Sequence, residues 1–164
     1  MAKESAYTSG NRVAAGLKAF EFGKQNLDYG GGEYDKGVAY LAERGTFNVV
    51  VDPFNRDEIH NKFAMMSALG HPTETVTFLN VMNVISKKER TEALELIKRF
   101  INTQKRRYNV DTVLIMQVHE GDKTGKPSRD GLTQTNMRLA DYIPEIQAVF
   151  PKWEVQRSGK YLTV

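Results

Sequence analysis

The 164-residue sequence contains no cysteine. Disulfides, a thiolate zinc site, an iron–sulfur cluster and a cysteine nucleophile are therefore excluded, and a reducing compartment is permitted. Long apolar runs are missing as well. None approaches the roughly 18 to 20 residues that cross a bilayer, which predicts a soluble chain with no membrane partner. The opening Met1-Ala2-Lys3-Glu4-Ser5 has neither the apolar segment nor the small-residue cleavage site of a secretory signal, so a cytoplasmic protein is expected. Net charge is small, with 23 Lys and Arg against 20 Asp and Glu. Such a surplus does not announce a nucleic-acid binder, and any basic surface must be local. Repeats, low-complexity stretches and linkers are absent, and the length suits one domain, 1–164, that closes its own core.

What is present is an alternation of helical and β-rich segments. Val13, Leu17 and Phe20 recur at helical spacing before Gly23, and Asn26 to Tyr29 reads as a short strand. Val38, Ala39, Leu41 and Ala42 mark a second helix ending near Gly45, followed by the β-rich run Phe47 to Val51. Asp57 to Leu69 places Ile59, Phe63, Met66 and Leu69 on one helical face, closed by Gly70, and Thr75 to Val81 is the next strand. Ser86 and Glu89 form a capping-box pattern that opens a long helix through Ile101. A strand at Thr112 to Val118 and a polar loop of about 16 residues follow, the loop being long enough to be a functional candidate. Helical turns then occupy Asn136 to Phe150, with Pro144 opening the second piece, and Trp153–Arg157 and Lys160–Val164 read as a hairpin about Ser158-Gly159. The alternation predicts an α/β fold with a mostly parallel sheet and an antiparallel C-terminal edge.

The chemistry concentrates in Asn26-Leu27-Asp28-Tyr29-Gly30-Gly31-Gly32-Glu33-Tyr34-Asp35 and in Asn48 to Phe54. Strand, glycine turn, helix, strand and terminal acid occur in that order, the pattern in which a nucleoside ligand lies beyond the strand ends and an acid takes its ribose. A dinucleotide fingerprint beginning at Gly30 fails, because Asp35 stands where glycine or alanine is required. Glu33 and Asp35 are expected in the first helical turn, with Asp28 nearby, and would repel phosphate from a helix N-terminus. A ligand with a ribose, no phosphate and a positive end fits these acids, and S-adenosylmethionine answers that description. A plain structural glycine turn with dipole-favouring acids is the alternative.

Leu27-Asp28-Tyr29-Gly30-Gly31-Gly32 is similar to the Leu-Asp-x-Gly-x-Gly-x-Gly turn of the class I S-adenosylmethionine-dependent methyltransferases, particularly small phage-type members. Val51-Asp52-Pro53-Phe54 resembles the acidic end of their second strand, and Phe78-Leu79-Asn80-Val81-Met82-Asn83-Val84-Ile85 their fourth-strand motif. The resemblance runs from about Asn11 to Ile85 and continues by element order alone. It implies a doubly wound, Rossmann-like sheet, S-adenosylmethionine as cofactor, and the host cytoplasm of a phage as location. By the same resemblance Asp28, Gly30 and Gly32 contact the methionine portion, Asp52 binds the ribose and Phe54 stacks on adenine. Tyr29, Gly31, Tyr34, Pro53 and Asn80 complete the expected contacts. Tyr34 replaces the family's third glycine, so its side chain narrows the cofactor pocket or lies along it. Only 22 residues separate Asp52 from Thr75, too few for the family's third strand and its helix. The resemblance therefore predicts that this unit is deleted and that the strand at Thr75 pairs beside the first.

Methyl transfer needs a positioned nucleophile more than a strong acid. Asn80 is the first candidate to orient an acceptor, with Asn83, His119 and Glu120 next, although for Asn83 the satisfaction of local backbone groups is the favoured reading. His60, His71 and His119 form no metal spacing, and no metal is expected. Cytosine-5 methylation requires the absent cysteine, and the Asn/Asp-Pro-Pro-aromatic tetrapeptide of amino-methylating DNA enzymes is also missing. Thr124-Gly125-Lys126 lacks the leading glycine of a phosphate loop and has Pro127 in place of Ser or Thr, which excludes a nucleotide triphosphatase. Lys123, Lys126 and Arg129 in the long loop are candidates to meet an anionic substrate, and a solvated loop is the alternative. Lys98, Arg99, Lys105, Arg106 and Arg107 are expected at the opposite end of the sheet, complementing a helix dipole. The acceptor stays open between nucleic acid and a small molecule. A binding module without turnover and an enzyme that degrades S-adenosylmethionine are the competing readings.

Overall fold

A computed structural model describes residues 11–127 and 134–164. The fold is α/β, with a six-stranded mixed sheet and five α-helices among the described residues. In chain order these are α1 (Ala15–Ala19), β1 (Gln25–Tyr29), α2 (Lys36–Ala42), β2 (Phe47–Val51), α3 (Glu58–Leu69), β3 (Thr75–Leu79), α4 (Lys87–Tyr108), β4 (Val113–Gln117), α5 (Ile143–Val149), β5 (Gln156–Ser158) and β6 (Tyr161–Thr163). The strand order is β2-β1-β3-β4-β6-β5. β1 to β4 are parallel, while β6 runs antiparallel to β4 and to β5. β3 lies beside β1, Asn26 facing Thr75 and Asp28 facing Thr77, the pairing that the resemblance implies for a chain without the third strand.

Side chains alternate across the strands, so each face has its own core. Leu27, Val49, Val76, Phe78, Leu114 and Met116 meet α3, α4 and α5 on one face. On the other, Leu17 of α1 and Leu41 of α2 close over Leu79 and Ile115 in a much smaller cluster. Polar residues fill the rest of that second face. Thr75 Oγ1 donates to Asn26 Oδ1 (2.7 Å), Asn26 Nδ2 donates to Asn48 Oδ1 (2.7 Å) and Thr77 Oγ1 (3.0 Å), and Thr77 Oγ1 donates to Asp28 Oδ1 (2.8 Å). These groups are buried but mutually satisfied, which is what makes a polar interior tolerable.

The capping box at Ser86 and Glu89 opens α4 as its sequence predicts, and Asn109, in the left-handed region at φ 55°, ends it. Arg90 in its first turn forks onto Glu145 of α5 at 2.7 and 2.8 Å and reaches back to the Ile85 carbonyl at 2.9 Å. It ties α4, α5 and the segment after β3 together.

Three local expectations are corrected. The α3 face bearing Ile59, Phe63 and Met66 points to solvent rather than to the core, these residues being 58 to 70% exposed, and Leu69 alone of that set packs inward. The inward side carries Ala64, Met65 and Ala68 together with two polar caps for the edge strand. His60 Nε2 lies 3.0 Å from the Val50 carbonyl oxygen, and Asn61 bonds both the N–H and the carbonyl of Asp52. Close approach by a small residue and capping of an open edge outweigh the apolar periodicity here. The C-terminal strands are only three residues each, joined through Gly159 at φ 58° and Lys160, so the turn sits one residue later than expected. α5 starts at Ile143, which makes Pro144 its second residue.

Candidate functional site

The carboxyl ends of β1 to β4 open into a cleft of about 1060 Å³. Its walls are the glycine loop after β1, Asp52, Phe54 and Asn55 after β2, Asn80, Val81, Asn83 and Val84 after β3, and Val118 to Gly121 after β4. α1 and Lys160 close one side.

The glycines serve internal geometry. Gly30 sits at φ +82°, and a Cβ there would run into the Val81 side chain. A Cβ on Gly31 would lie 2.7 Å from Asp28 Oδ2. Only glycine lets the chain turn this tightly over β1 while β3 stays adjacent.

Asp52 organises the loop. Its Oδ2 accepts from the Gly32 N–H (2.8 Å) and Asn55 Nδ2 (3.0 Å), and its Oδ1 accepts from the N–H groups of Phe54 (2.9 Å) and Asn55 (3.0 Å). A carboxylate offers about four acceptor sites, so these donors saturate it. Asp52, the residue expected at a ribose, thus has all four acceptor sites engaged by the loop in this structure. Of its donors only Asn55 Nδ2 is a side chain, and that is the one a ligand hydroxyl would displace at least cost. Arg56 adds a second staple, Nε donating to the Gly32 carbonyl (2.8 Å) and Nη2 to Asp35 Oδ1 (2.7 Å).

The electrostatics differ from expectation accordingly. α2 begins at Lys36 with no acid in its first turn, and Asp35 is the capping residue, paired with Arg56. Glu33 precedes the helix. Asp28 is buried beneath the loop, within 2.8 Å of Thr77 Oγ1 and 3.4 Å of Asn48 Nδ2. Burial raises its pKa above the ordinary 3.8, against the lowering effect of those two hydrogen bonds. Asp35 is therefore paired with Arg56 rather than standing in the first helical turn, and Asp28 is covered by the loop.

The raised pKa has a thermodynamic sign. Below 3.8 Asp28 is protonated in folded and unfolded chains alike; as pH rises, the unfolded chain ionises first and folding stability falls until the folded carboxyl has also titrated. Asp28→Asn should abolish this decline. Urea midpoints measured at several pH values from 4 upward check it, and parallel profiles for the two proteins would refute it.

Among the other sequence candidates, Tyr34 (41% exposed), Phe54, Asn80, His119 and Glu120 line the cleft. Asn80 is exposed at the end of β3, in the left-handed region at φ 59°, with its N–H donated to the Gln117 carbonyl. His119 is exposed on the rim. Glu120 is engaged: Oε1 accepts from the Leu139 N–H (2.7 Å) and Oε2 lies 3.2 Å from Lys123 Nζ. The Leu139 amide, ahead of Lys123, holds this carboxyl below its usual range. Glu120 thus anchors the 3₁₀ turn Leu139–Tyr142, and Lys123 is tied to it. Tyr29 is not at the cleft, because strand alternation turns it into the opposite core, edge-on to Phe78 at 5.7 Å. Pro53 is exposed and outside the cleft lining, as is Lys126. Arg129 lies outside the described residues. The basic group Lys98, Arg99, Lys105, Arg106 and Arg107 lies along α4, whose last turn holds the final three; Lys105 pairs with Asp111.

Several lining residues carry no mark in the sequence. Arg12 and Lys18 reach the cleft from α1 and its approach, and Lys160 from the hairpin turn. Asn83 and Gln117 also line it, and their Oδ1 and Oε1 atoms are buried without a hydrogen-bond partner. For Asn83 this replaces the reading of a side chain that satisfies local backbone: its backbone carbonyl takes the Thr135 N–H while the side-chain oxygen stays unmatched. Asn83 lies in the segment already singled out after β3, whereas only its position at the end of β4 could have pointed to Gln117. No protein-family model matches the chain, and no curated protein matches it either.

Proposed function

We propose that this chain is an S-adenosylmethionine-dependent methyltransferase with a doubly wound, Rossmann-like sheet that lacks the third strand of the class I enzymes it resembles. The observation that carries the reading is the position of the cleft. The chain leaves β1 for β2 on one side and returns to β3 on the other, and the cleft opens where those directions diverge, at the carboxyl ends of the strands. Ligands of open α/β sheets bind at such switch points.

Two further features support it. Asp52 and Arg56 hold the glycine loop in one conformation, so the loop needs little ordering when a ligand arrives. The unmatched oxygens of Asn83 and Gln117 suit a ligand with amino or ammonium donors, since a buried acceptor without a partner is costly. Bound S-adenosylmethionine would supply an activated methyl group on a sulfonium, leaving the protein to bind, orient and exclude water. Gly30 to Gly32 and Tyr34 would face the cofactor, Phe54 its base, and Asn80 and His119 at the rim the acceptor, which is a nucleic acid or a small molecule.

Calorimetric titration is expected to show S-adenosylmethionine binding below about 1 mM ligand, followed by incorporation of labelled methyl into an acceptor pool. Absence of binding in that range sinks the proposal. Binding without incorporation would favour a module that only holds the cofactor, and cofactor breakdown without an acceptor would favour a degrading enzyme.

A further inference from the structure

The cleft has buried acids but an unopposed basic rim. Its lining acids are Asp28 and Asp52, both buried and hydrogen-bonded, and Glu120, paired with Lys123. Its exposed cations are Arg12, Lys18 and Lys160, none of which has an acidic partner among the described residues. They come from distant parts of the chain for reasons of topology. α1 packs against β3 and β4, and the antiparallel register that sets Tyr161 opposite Gln117 brings the hairpin turn to the same end of the sheet. Phe20 and Tyr161 meet edge-on at 5.0 Å, joining the segment after α1 to the hairpin. Lys18 and Lys160 therefore belong to one wall.

Unpaired cations on a rim attract a polyanion, and aromatic faces beside them suit unstacked bases. Lys160 Nζ stands 5.6 Å over the Tyr161 ring, and Tyr34 is exposed at the cleft. We propose that the substrate of this cleft is single-stranded nucleic acid, its phosphates on Arg12, Lys18 and Lys160 and one base directed between them into the cleft. A recess at strand ends admits an extruded or unpaired base but not a base held in a duplex. The inference rests on the methyltransferase reading for the chemistry, but not for the binding. Basic residues near the α4 C-terminus are the rival surface. They lie in a helix end whose dipole they complement, and Lys105 is neutralised by Asp111.

The test titrates labelled single-stranded DNA and RNA 20-mers of mixed sequence into the full chain at several salt concentrations, with S-adenosylmethionine binding measured in parallel. Combined Arg12→Gln, Lys18→Gln and Lys160→Gln should weaken oligonucleotide binding at least about tenfold. The slope of log K against log salt should fall by about 2, since each phosphate contact on a single strand contributes about 0.7. Combined Lys98→Gln, Arg99→Gln and Arg106→Gln removes equal charge elsewhere and should alter affinity less than about twofold. Wild-type protein that binds neither strand, unchanged binding by the rim variant, or a larger loss in the α4 variant overturns the proposal. The expected oligonucleotide results without S-adenosylmethionine binding would uphold the strand-binding rim and reject the methyltransferase reading alone.

Discussion

Asp52→Ala is expected to lower the unfolding free energy by about 3 kcal/mol and to abolish S-adenosylmethionine binding together. The stability loss follows from the donors it strands. Three backbone N–H groups and one carboxamide point at a carboxylate that is 2% exposed. Hydrogen bonds to a charged acceptor contribute about 1.5 to 3 kcal/mol each, and the losses add less than fully because the loop can relax toward water. Asp52→Asn retains one acceptor oxygen and should recover part of the stability. If Asp52 were only a ligand group, alanine would weaken binding and leave the urea midpoint where it is. Equilibrium denaturation beside calorimetry on the same two variants therefore separates an organiser of the loop from a direct ribose contact.

Arg90→Ala should be the most destabilising single change outside the apolar core, at about 3 to 5 kcal/mol. Both partners of the ion pair are largely enclosed, with side-chain exposures of 8% for Arg90 and 16% for Glu145. Removing the arginine leaves the Glu145 carboxylate in a poorly solvated place with no counter-charge. It also frees the Ile85 and Met82 carbonyls, which Arg90 Nη1 approaches at 2.9 and 3.4 Å. Because Asn83 and Val84, between those two residues, line the cleft, the loss should appear in ligand affinity as well as in stability. Arg90→Lys cannot reproduce the fork and should recover only a fraction. Thermal denaturation of the double variant Arg90→Ala, Glu145→Ala provides the check. Much of the damage should be undone there, because no buried charge is left unpaired. An additive double variant would contradict this account.

The strands were legible because their signal is contiguous. Phe47 to Val51 is a strand residue for residue, and the family resemblance, with only 22 residues between Asp52 and Thr75, already implied β3 beside β1. The glycine turn, Asp52 and the Ser86 capping box were likewise readable, since each is a local pattern with a local cause. The hold of Asp52 on the loop backbone was not, because acceptance from backbone N–H groups leaves no trace in residue identity. α3 misled for a different reason: Ile59, Phe63 and Met66 have the periodicity of a buried stripe, but an alanine side and two capping side chains take the inward position. Tyr29 looked like a pocket residue because it adjoins Gly30, although alternation along β1 sends it to the other face. The rim cations were hidden for lack of any sequence neighbourhood, Lys18 and Lys160 being brought to one wall only by the register of β6 on β4.

The polar chain running from Thr75 through Asn26 to Asn48 and Thr77, and on to Asp28, bears on how the sheet finds its alignment. Apolar strands can slide by two residues with little penalty, because valine meets valine again. Here a slip of β3 along β1 would separate Thr75 and Thr77 from Asn26 and Asp28, leaving amide, hydroxyl and carboxyl groups dry and unmatched. Because Asn26 bridges neighbours on both sides, β1, β2 and β3 are locked as a set rather than in pairs. The ladder works as a key cut for one alignment, and that alignment is the one that brings Gly30, Asp52 and Asn80 level at the mouth of the cleft.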